Sequence, residues 1–174
     1  MKDGFKIMQK KFKLLLIIFG FLFLIGIKSC FAQVNPEMIQ ALNELFISDV
    51  KLMQQCESNR EEFSLFIVYN QIISEKQQTL RDLAELIDSF GADISDKILE
   101  VEKQIFKDQA LINNAKSQIK IISMYDDILS KFGHPKVQIF AKKAKNQAII
   151  HYMLFSTTIQ QVIADNHAKE IIQN

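Results

Sequence analysis

Residues 128–137 read Ile-Leu-Ser-Lys-Phe-Gly-His-Pro-Lys-Val, and this stretch decides the fold. A glycine directly after an apolar helical run is the usual left-handed residue that closes a helix. A proline two residues later suits the first position of a new helix, because its φ is fixed and its missing N–H would have no partner there. The stretch therefore predicts two helices that meet in a short turn at Gly133 and His134.

The same signals recur once more in the rest of the chain. Gly91 follows an apolar helical run as a second left-handed cap, and Pro36 follows Asn35 as a second helix start. No other glycine or proline occurs after residue 32. So few chain breakers favour long helices over strands, which need frequent turns.

A third turn is expected at residues 58–59. Ser58 with Glu61, or Asn59 with Glu62, matches the capping box in which a side chain at a helix start and one three residues later bond each other's backbone. The predicted helices then cover about 36–57, 60–90, 96–132 and 136–172, and each has apolar residues at spacings of three and four.

Each predicted helix has its own buried stripe. The first stripe is Ile39, Leu42, Phe46, Val50, Met53 and Cys56, and the second is Phe63, Phe66, Ile73, Leu80, Leu83, Ile87 and Phe90. The third is Ile98, Val101, Ile105, Ile112, Ala115, Ile119, Ile122 and Leu129, and the fourth is Val137, Phe140, Ala144, Ala148, Phe155, Ile159 and Val162. Four such helices predict an all-α, antiparallel up-down four-helix bundle.

The unequal helix lengths predict a contact surface. With the turns at 58–59 and 133–134 at one end, the third and fourth helices outrun the first by about 20 Å at the other end. Apolar residues there would be exposed and available to a partner. The candidate partner contacts are Ile98, Val101, Ile105, Val162, Ile171 and Ile172. An alternative is that the third helix breaks near Asn113 and Asn114 and folds back, or that the last turns fray.

Residues 1–32 predict a secretory signal peptide. Five lysines precede an unbroken apolar run over 14–27, and small residues end the segment at Ala32. A membrane-spanning helix needs about 20 apolar residues and this run has 14, so an uncleaved anchor is only the second interpretation. A third is lipid attachment at Cys30, because residues 27–30 loosely match a lipobox. The predicted mature domain is 33–174.

The mature part has no charge pattern that favours nucleic acid. The leader contains six lysines and one aspartate, so 15 basic and 19 acidic residues remain, a net charge of −4. Phosphate-binding surfaces need clustered Lys and Arg. Cys56 is the single cysteine after the leader, which excludes an intrachain disulfide. Its place in an apolar stripe predicts a buried, inert thiol.

Metal chemistry of the ferritin type is not predicted from the residues. Such a site needs a Glu-x-x-His pair on each of two helices, and none of the three histidines has a glutamate three residues before it: His134, His151 and His167.

A second metal hypothesis uses one polar residue from each predicted helix: Asp49, Lys76, Asp126 and His151. Counted from the predicted turns, the two aspartates lie about 12 to 14 Å along their helices, and the other two lie about 25 Å along. Metal ligands must come within about 2 Å of the ion, so this set is not expected to meet. We expect His151 to be a hydrogen-bonded residue at the edge of the core.

The sequence also has no pattern typical of nucleophilic catalysis or of phosphate binding. Cys56 and His151 lack a third orienting group, and both glycines are assigned to helix ends, not to a phosphate-binding loop. We therefore predict no catalytic, cofactor-binding or metal site, and no enzyme activity.

Residues 126–143 read Asp-Asp-Ile-Leu-Ser-Lys-Phe-Gly-His-Pro-Lys-Val-Gln-Ile-Phe-Ala-Lys-Lys. This stretch resembles the hinge between helices in exported ferritin-like bundle proteins of unknown function, where a His-Pro-x-Val-x-x-Phe-Ala pattern recurs. Residues 59–75 resemble a looser version of it. The resemblance implies a ferritin-like four-helix fold. Those proteins commonly place Asp-His after such a segment, but this chain has Glu75-Lys76 in one half and no acidic-His pair in the other, so no metal ligands carry over.

The predicted function is that of an exported, periplasmic or secreted, non-enzymatic bundle that acts through protein-protein contact or a structural role in the bacterial cell envelope. Its partner would be another protein or a second copy, and membrane contact would occur only through an uncleaved or lipidated leader. Two alternatives stay open. One is a degenerate ferritin-like protein that handles a small ligand or metal without the usual ligands, and the other is a single-pass membrane-anchored bundle facing the periplasm.

Overall fold

The computed structural model describes residues 35–63, 65–94 and 107–173. These residues form four α-helices and no strand: α1 is Pro36–Phe63, α2 is Phe66–Asp88, α3 is Lys107–Lys131 and α4 is Pro135–Gln173. The helices contain 28, 23, 25 and 39 residues. The predicted all-α class, with four helices that pack against each other, is confirmed for this part of the chain. The predicted leader lies outside the described residues.

Helix starts follow the proline signals, whereas the two glycines behave differently. Pro36 and Pro135 are the first residues of α1 and α4, as predicted. Gly91 has a φ of 69°, which is the left-handed conformation that glycine adopts without strain. Two backbone bonds close the end of α2 around it, from the Gly91 N–H to the Asp88 carbonyl and from the Ala92 N–H to the Ile87 carbonyl.

Gly133 is not in the left-handed region, so the predicted cap is wrong there. The end of α3 is closed instead by a side chain from α4. Gln138 Nε2 donates to the carbonyl oxygens of Leu129 and Phe132, both at 2.8 Å. These carbonyls belong to the last turn, where no helical N–H can reach them.

The predicted turn at 58–59 is also wrong. α1 continues through these residues to Phe63, and α2 begins at Phe66. Asn59 is buried within α1 and accepts a bond from Gln55 one turn earlier. Ser58 and Asn59 therefore do not cap a helix, because nothing in the sequence interrupts the helix before residue 63.

The four helices pack as a square. α1 and α4 each pack against both α2 and α3, while the described residues show no backbone contact between α1 and α4 or between α2 and α3. The core is mainly apolar but also contains buried polar residues, and its largest fully buried aliphatic and aromatic side chains include Leu42, Leu52, Ile72, Leu83, Leu111, Ile121, Ile128 and Phe155.

α2 and α3 begin at one end of the square and finish at the other. Asn114, near the start of α3, bonds to Tyr69, near the start of α2. The His134 ring, just after α3, packs edge-on against Phe90, just after α2, with centroids 5.0 Å apart. The turn at 133–134 thus lies at the end opposite to the start of α2. The predicted arrangement, with the two turns together and the second and third helices opposed, differs from this.

The third predicted helix is found in part. Residues 95–106 lie outside the described part of the chain, and α3 runs unbroken through Asn113 and Asn114. The alternative in which the helix breaks at these asparagines is therefore wrong.

None of the described helices has the length and hydropathy that crossing a membrane requires.

Candidate functional site

Three helices bring charged or titratable side chains to the middle of the bundle. Asp49 from α1, Lys76 from α2 and His151 from α4 are 1, 3 and 1 % exposed. Lys76 Nζ lies 2.5 Å from Asp49 Oδ1, and the Tyr125 hydroxyl of α3 donates to Asp49 Oδ2 at 3.2 Å. Both carboxylate oxygens therefore have donors, which a buried ion pair requires because neither charge is hydrated.

The His151 ring is hydrogen-bonded to Glu75, the residue directly before Lys76 on α2. Its Nε2 lies 2.8 Å from Glu75 Oε2, and the Gln147 side-chain amide donates to the same oxygen. Burial and the nearby Lys76 ammonium lower the pKa of His151, although Glu75 partly offsets them. The ring is thus neutral near pH 7, and it donates through Nε2–H to Glu75. Its Nδ1 atom is buried without a hydrogen-bond partner within the described chain.

Glu75 is half-buried and more accessible than Asp49, Lys76 and His151. Burial would raise its pKa, but hydrogen bonds from His151, Gln71 and Gln147 outweigh that effect, so the pKa lies below the ordinary value. Glu75 is therefore ionised at neutral pH. The pKa of Tyr125 is raised well above 10.0 by burial and by the Asp49 carboxylate, so its hydroxyl stays protonated and remains a donor.

We call these six residues the charged layer: Asp49, Glu75, Lys76, Tyr125, Gln147 and His151. A void of about 10 Å³ is lined by all of them except Glu75, together with Thr79, Ala144 and Ala148. It adjoins a groove of about 130 Å³ on the surface between α2 and α4, because Thr79, Ala144 and Gln147 line both.

The predicted separation of Asp49 from Lys76 and His151 along the helices is wrong, because all three line the same void. The predicted turns were misplaced, so distances along the helices were counted from the wrong ends. The fourth residue of that set, Asp126, is exposed and pairs with Lys145 at the surface. Glu75 and Tyr125 were missed, since neither stands out in an apolar stripe, and only the contacts between helices reveal them.

A second polar group lies nearer the start of α2, and we call it the amide layer: Cys56, Asn59, Tyr69, Asn114 and Gln118. Asn114 Nδ2 donates to the Tyr69 hydroxyl oxygen at 2.9 Å and lies 3.9 Å from Cys56 Sγ. Several amide atoms have no hydrogen-bond partner in the described part of the chain: Asn59 Nδ2, Asn114 Oδ1, and Gln118 Nε2 and Oε1.

Cys56 is buried, as predicted. Burial raises the pKa of its thiol from 9.0 to about 12, and the nearby Lys76 only partly offsets this. Since the thiolate is the nucleophile, a thiol with this pKa reacts slowly at neutral pH.

The side chains of the charged layer are hydrogen-bonded to one another, and the void among them adjoins the groove between α2 and α4. Comparison with protein family models, with curated proteins and with solved structures finds no match to this chain.

The described residues contain no group of three or more His, Cys, Asp or Glu side chains placed to share a metal ion. The larger surface groove, of about 250 Å³, lies between α1 and the end of α3 and mixes acidic residues with an apolar floor. Its floor includes Met124, Ile128 and Phe132.

The predicted partner contacts fall mainly outside what the structure describes. Ile98, Val101 and Ile105 lie in the undescribed stretch, and the side chains of Ile171 and Ile172 also lie outside the described part. Val162 is half-buried on α4. These contacts stay predictions.

Proposed function

We propose that this protein is an exported, non-enzymatic helical bundle of the bacterial cell envelope that acts by binding a protein partner through the outer face of α4. The bundle of this proposal has neighbouring helices that run antiparallel. The leader supports export, because its basic start, apolar run and small terminal residues suit a cleaved signal.

One observation carries the binding function: apolar side chains face outward along α4. Ile139, Met153 and Ile150 are 72, 60 and 46 % exposed. Ile139 and Ile150 are separated by about three helical turns, and Met153 lies about one turn further, so the three share a face. The buried residues of α4, such as Ala141, lie on the opposite side.

An apolar row of this kind is typical of recognition by a helix face. Single exposed apolar residues are ordinary, but three aligned on one helix, with exposed Asn146 between Ile139 and Ile150, offer a partner several apolar contacts along one face. The row is rimmed by exposed Lys142 and Lys143, which keep the face soluble and would favour a partner with acidic residues around its apolar centre.

Site-specific photo-crosslinking in the full-length, exported protein tests the proposal. Ile150 would be replaced by p-benzoylphenylalanine, with Gln77 of α2, also exposed, replaced in a matched control. We expect a discrete crosslinked species from position 150, either with another protein or with a second copy, and none from position 77. The species should disappear when Ile139→Gln and Met153→Gln are added.

Equal crosslinking from both positions, or none from position 150, would overturn the binding function. The export part has its own test, which is the intact mass of the protein recovered from the envelope. A chain that begins at Gln33 is expected, whereas a chain that retains residues 1–32 would favour the anchored alternative.

A further inference from the structure

The groove between α2 and α4 has the size and lining of a site for a small molecule. Its volume is about 130 Å³, well below the 300 to 1,000 Å³ of common drug-sized sites, so it admits only a short ligand. Apolar surface dominates its walls, which include Phe140 and Ala144, and polar groups lie at its inner end and at its mouth.

The donors at the inner end are already used within the protein. The Thr79 hydroxyl donates to the Glu75 backbone carbonyl at 3.1 Å. The Gln147 amide nitrogen and His151 Nε2 both bond to Glu75 Oε2. Glu75 Oε1 also accepts from Gln71 Nε2 at 3.1 Å. The acceptors left for a ligand are therefore the remaining lone pairs of the Glu75 carboxylate, the Thr79 oxygen and Gln147 Oε1.

A second observation points to a ligand that donates hydrogen bonds. His151 is almost fully buried and lines the 10 Å³ void that adjoins the groove. Its Nδ1 has no hydrogen-bond partner in the described part of the chain, and the ring is neutral, so this atom is one more acceptor. Acceptors therefore extend from the groove into the core.

The charges around the groove favour a cation. Glu75 is ionised, and Asp82 stands at the mouth with Lys143 Nζ 3.0 Å from its Oδ2. Lys143 is itself 75 % exposed, so it can move aside at little cost. The positive charge of Lys76, behind the inner end, is already neutralised by Asp49.

We propose that this groove binds a primary alkylammonium group, with the NH₃⁺ held by Glu75, Thr79 and Gln147 and the alkyl chain lying along Phe140 and Ala144. An ammonium carries three donors and no acceptor, which matches these remaining acceptors. A carboxylate or phosphate would face the carboxylates of Glu75 and Asp82, and the Lys143 ammonium that lines the groove already pairs with Asp82. The site is distinct from the apolar row of α4, although Lys143 borders both, and it could receive a free amine or a lysine side chain of a partner.

Binding is measured by NMR titration of the full mature protein with n-butylammonium chloride, and n-butanol and sodium butyrate serve as matched controls. We expect shifts at the backbone amides of Thr79, Ala144 and Gln147, with a dissociation constant on the order of 1 mM for so small a ligand. The two controls should give shifts at least ten times weaker at the same concentration.

Variants locate the site. Glu75→Gln should weaken binding about tenfold or more, and the near-isosteric Thr79→Val should weaken it several-fold. Lys143→Gln should strengthen it, because the competing ammonium at the mouth is removed. Glu85→Gln, an exposed glutamate on the same helix, is the control and should change nothing.

The source of the amine is separated by a peptide arm. An acetylated, amidated Gly-Lys-Gly peptide is compared with the same peptide carrying norleucine in place of lysine. Binding of butylammonium alone indicates a free amine as ligand, and binding of the lysine peptide as well indicates a side chain. Equal shifts with butylammonium and butanol, or binding that survives Glu75→Gln, Thr79→Val and Lys143→Gln unchanged, would overturn the proposal.

Discussion

The charged layer and the amide layer solve the same problem differently. In the charged layer, both Asp49 oxygens have donors and the buried lysine has its carboxylate. In the amide layer, four amide atoms lack partners, two of them on Gln118. A charge buried in a bundle must therefore have hydrogen-bond or ion-pair partners. A buried uncharged amide that lacks a hydrogen bond costs far less free energy and is tolerated.

The largest effect is expected from a substitution that breaks the buried ion pair of the charged layer. Asp49→Ala leaves the Lys76 ammonium buried without its partner and the Tyr125 hydroxyl without its acceptor, so we expect a loss of about 3–5 kcal/mol in the free energy of unfolding. Urea denaturation followed by circular dichroism measures it. The double variant Asp49→Leu with Lys76→Met removes both charges and should recover most of the loss. A loss that stays below 1 kcal/mol in the single variant would contradict a buried pair.

The next largest effect is expected from replacing a buried, unpaired amide of the amide layer by an apolar side chain. Gln118 is fully buried and both polar atoms of its amide lack partners, so Gln118→Leu should stabilise the protein by about 1–3 kcal/mol. Asn114→Leu is the matched control on the same helix, and it should not stabilise, because Asn114 bonds to Tyr69. Denaturation midpoints compare the two. A destabilised Gln118→Leu variant would mean that the amide has a partner after all.

The third prediction uses pH to act on one layer alone. The folded-state pKa of His151 is lowered, so its contribution to stability is present above the ordinary value of 6.5 and is lost as pH falls below it. Glu75, whose pKa is also lowered, adds a further loss below 4.5. The two effects have the same sign, and the loss from His151 alone should lower the unfolding free energy on acidification from pH 7.5 to 5. His151→Gln should flatten this dependence.

The amide layer should be silent in that range. The pKa values of Cys56 and Tyr69 are both raised by burial, so these groups lose stability only in alkali, above the ordinary 9.0 and 10.0. A His151→Gln variant that keeps the full acid dependence of the unmodified protein would place the titrating group elsewhere.

The smallest effect is expected at the surface. Asp126 pairs with Lys145, but the Asp126 side chain is 54 % exposed, so Asp126→Ala should change the unfolding free energy by about 0–1 kcal/mol. The same urea experiment measures it beside Asp49→Ala. Equal losses from the two aspartates would remove the contrast between buried and exposed pairs.

The predicted stripes of α4 and α2 are largely correct, although these helices also bury His151 and Lys76. On α4, Val137, Phe140, Ala144, Ala148 and Phe155 were predicted to be buried and are buried. On α2, Ile73, Leu80, Leu83 and Ile87 are also correct, but Phe66 is 49 % exposed.

The predicted stripe is rotated by about one residue on α1 and on much of α3. On α1, Phe46, Val50 and Met53 were expected inside, but Leu45, Asp49 and Leu52 are the buried residues. On α3, Ile119 is exposed and Gln118 is buried in its place. Hydrophobic periodicity cannot foresee this, because it assigns every polar residue to the surface and only partners on other helices make Asp49 tolerable inside.

The ionisation of His151 is the most direct test of the charged layer. In protein labelled with ¹⁵N at histidine, and assigned with His151→Gln, the ring nitrogens report which of them carries a proton from pH 8 to pH 5.5. We expect a neutral ring with the proton on Nε2 down to a pH below 6.5. A ring that titrates at the ordinary 6.5, as an exposed imidazole does, would contradict a histidine buried between Glu75 and the Asp49–Lys76 pair.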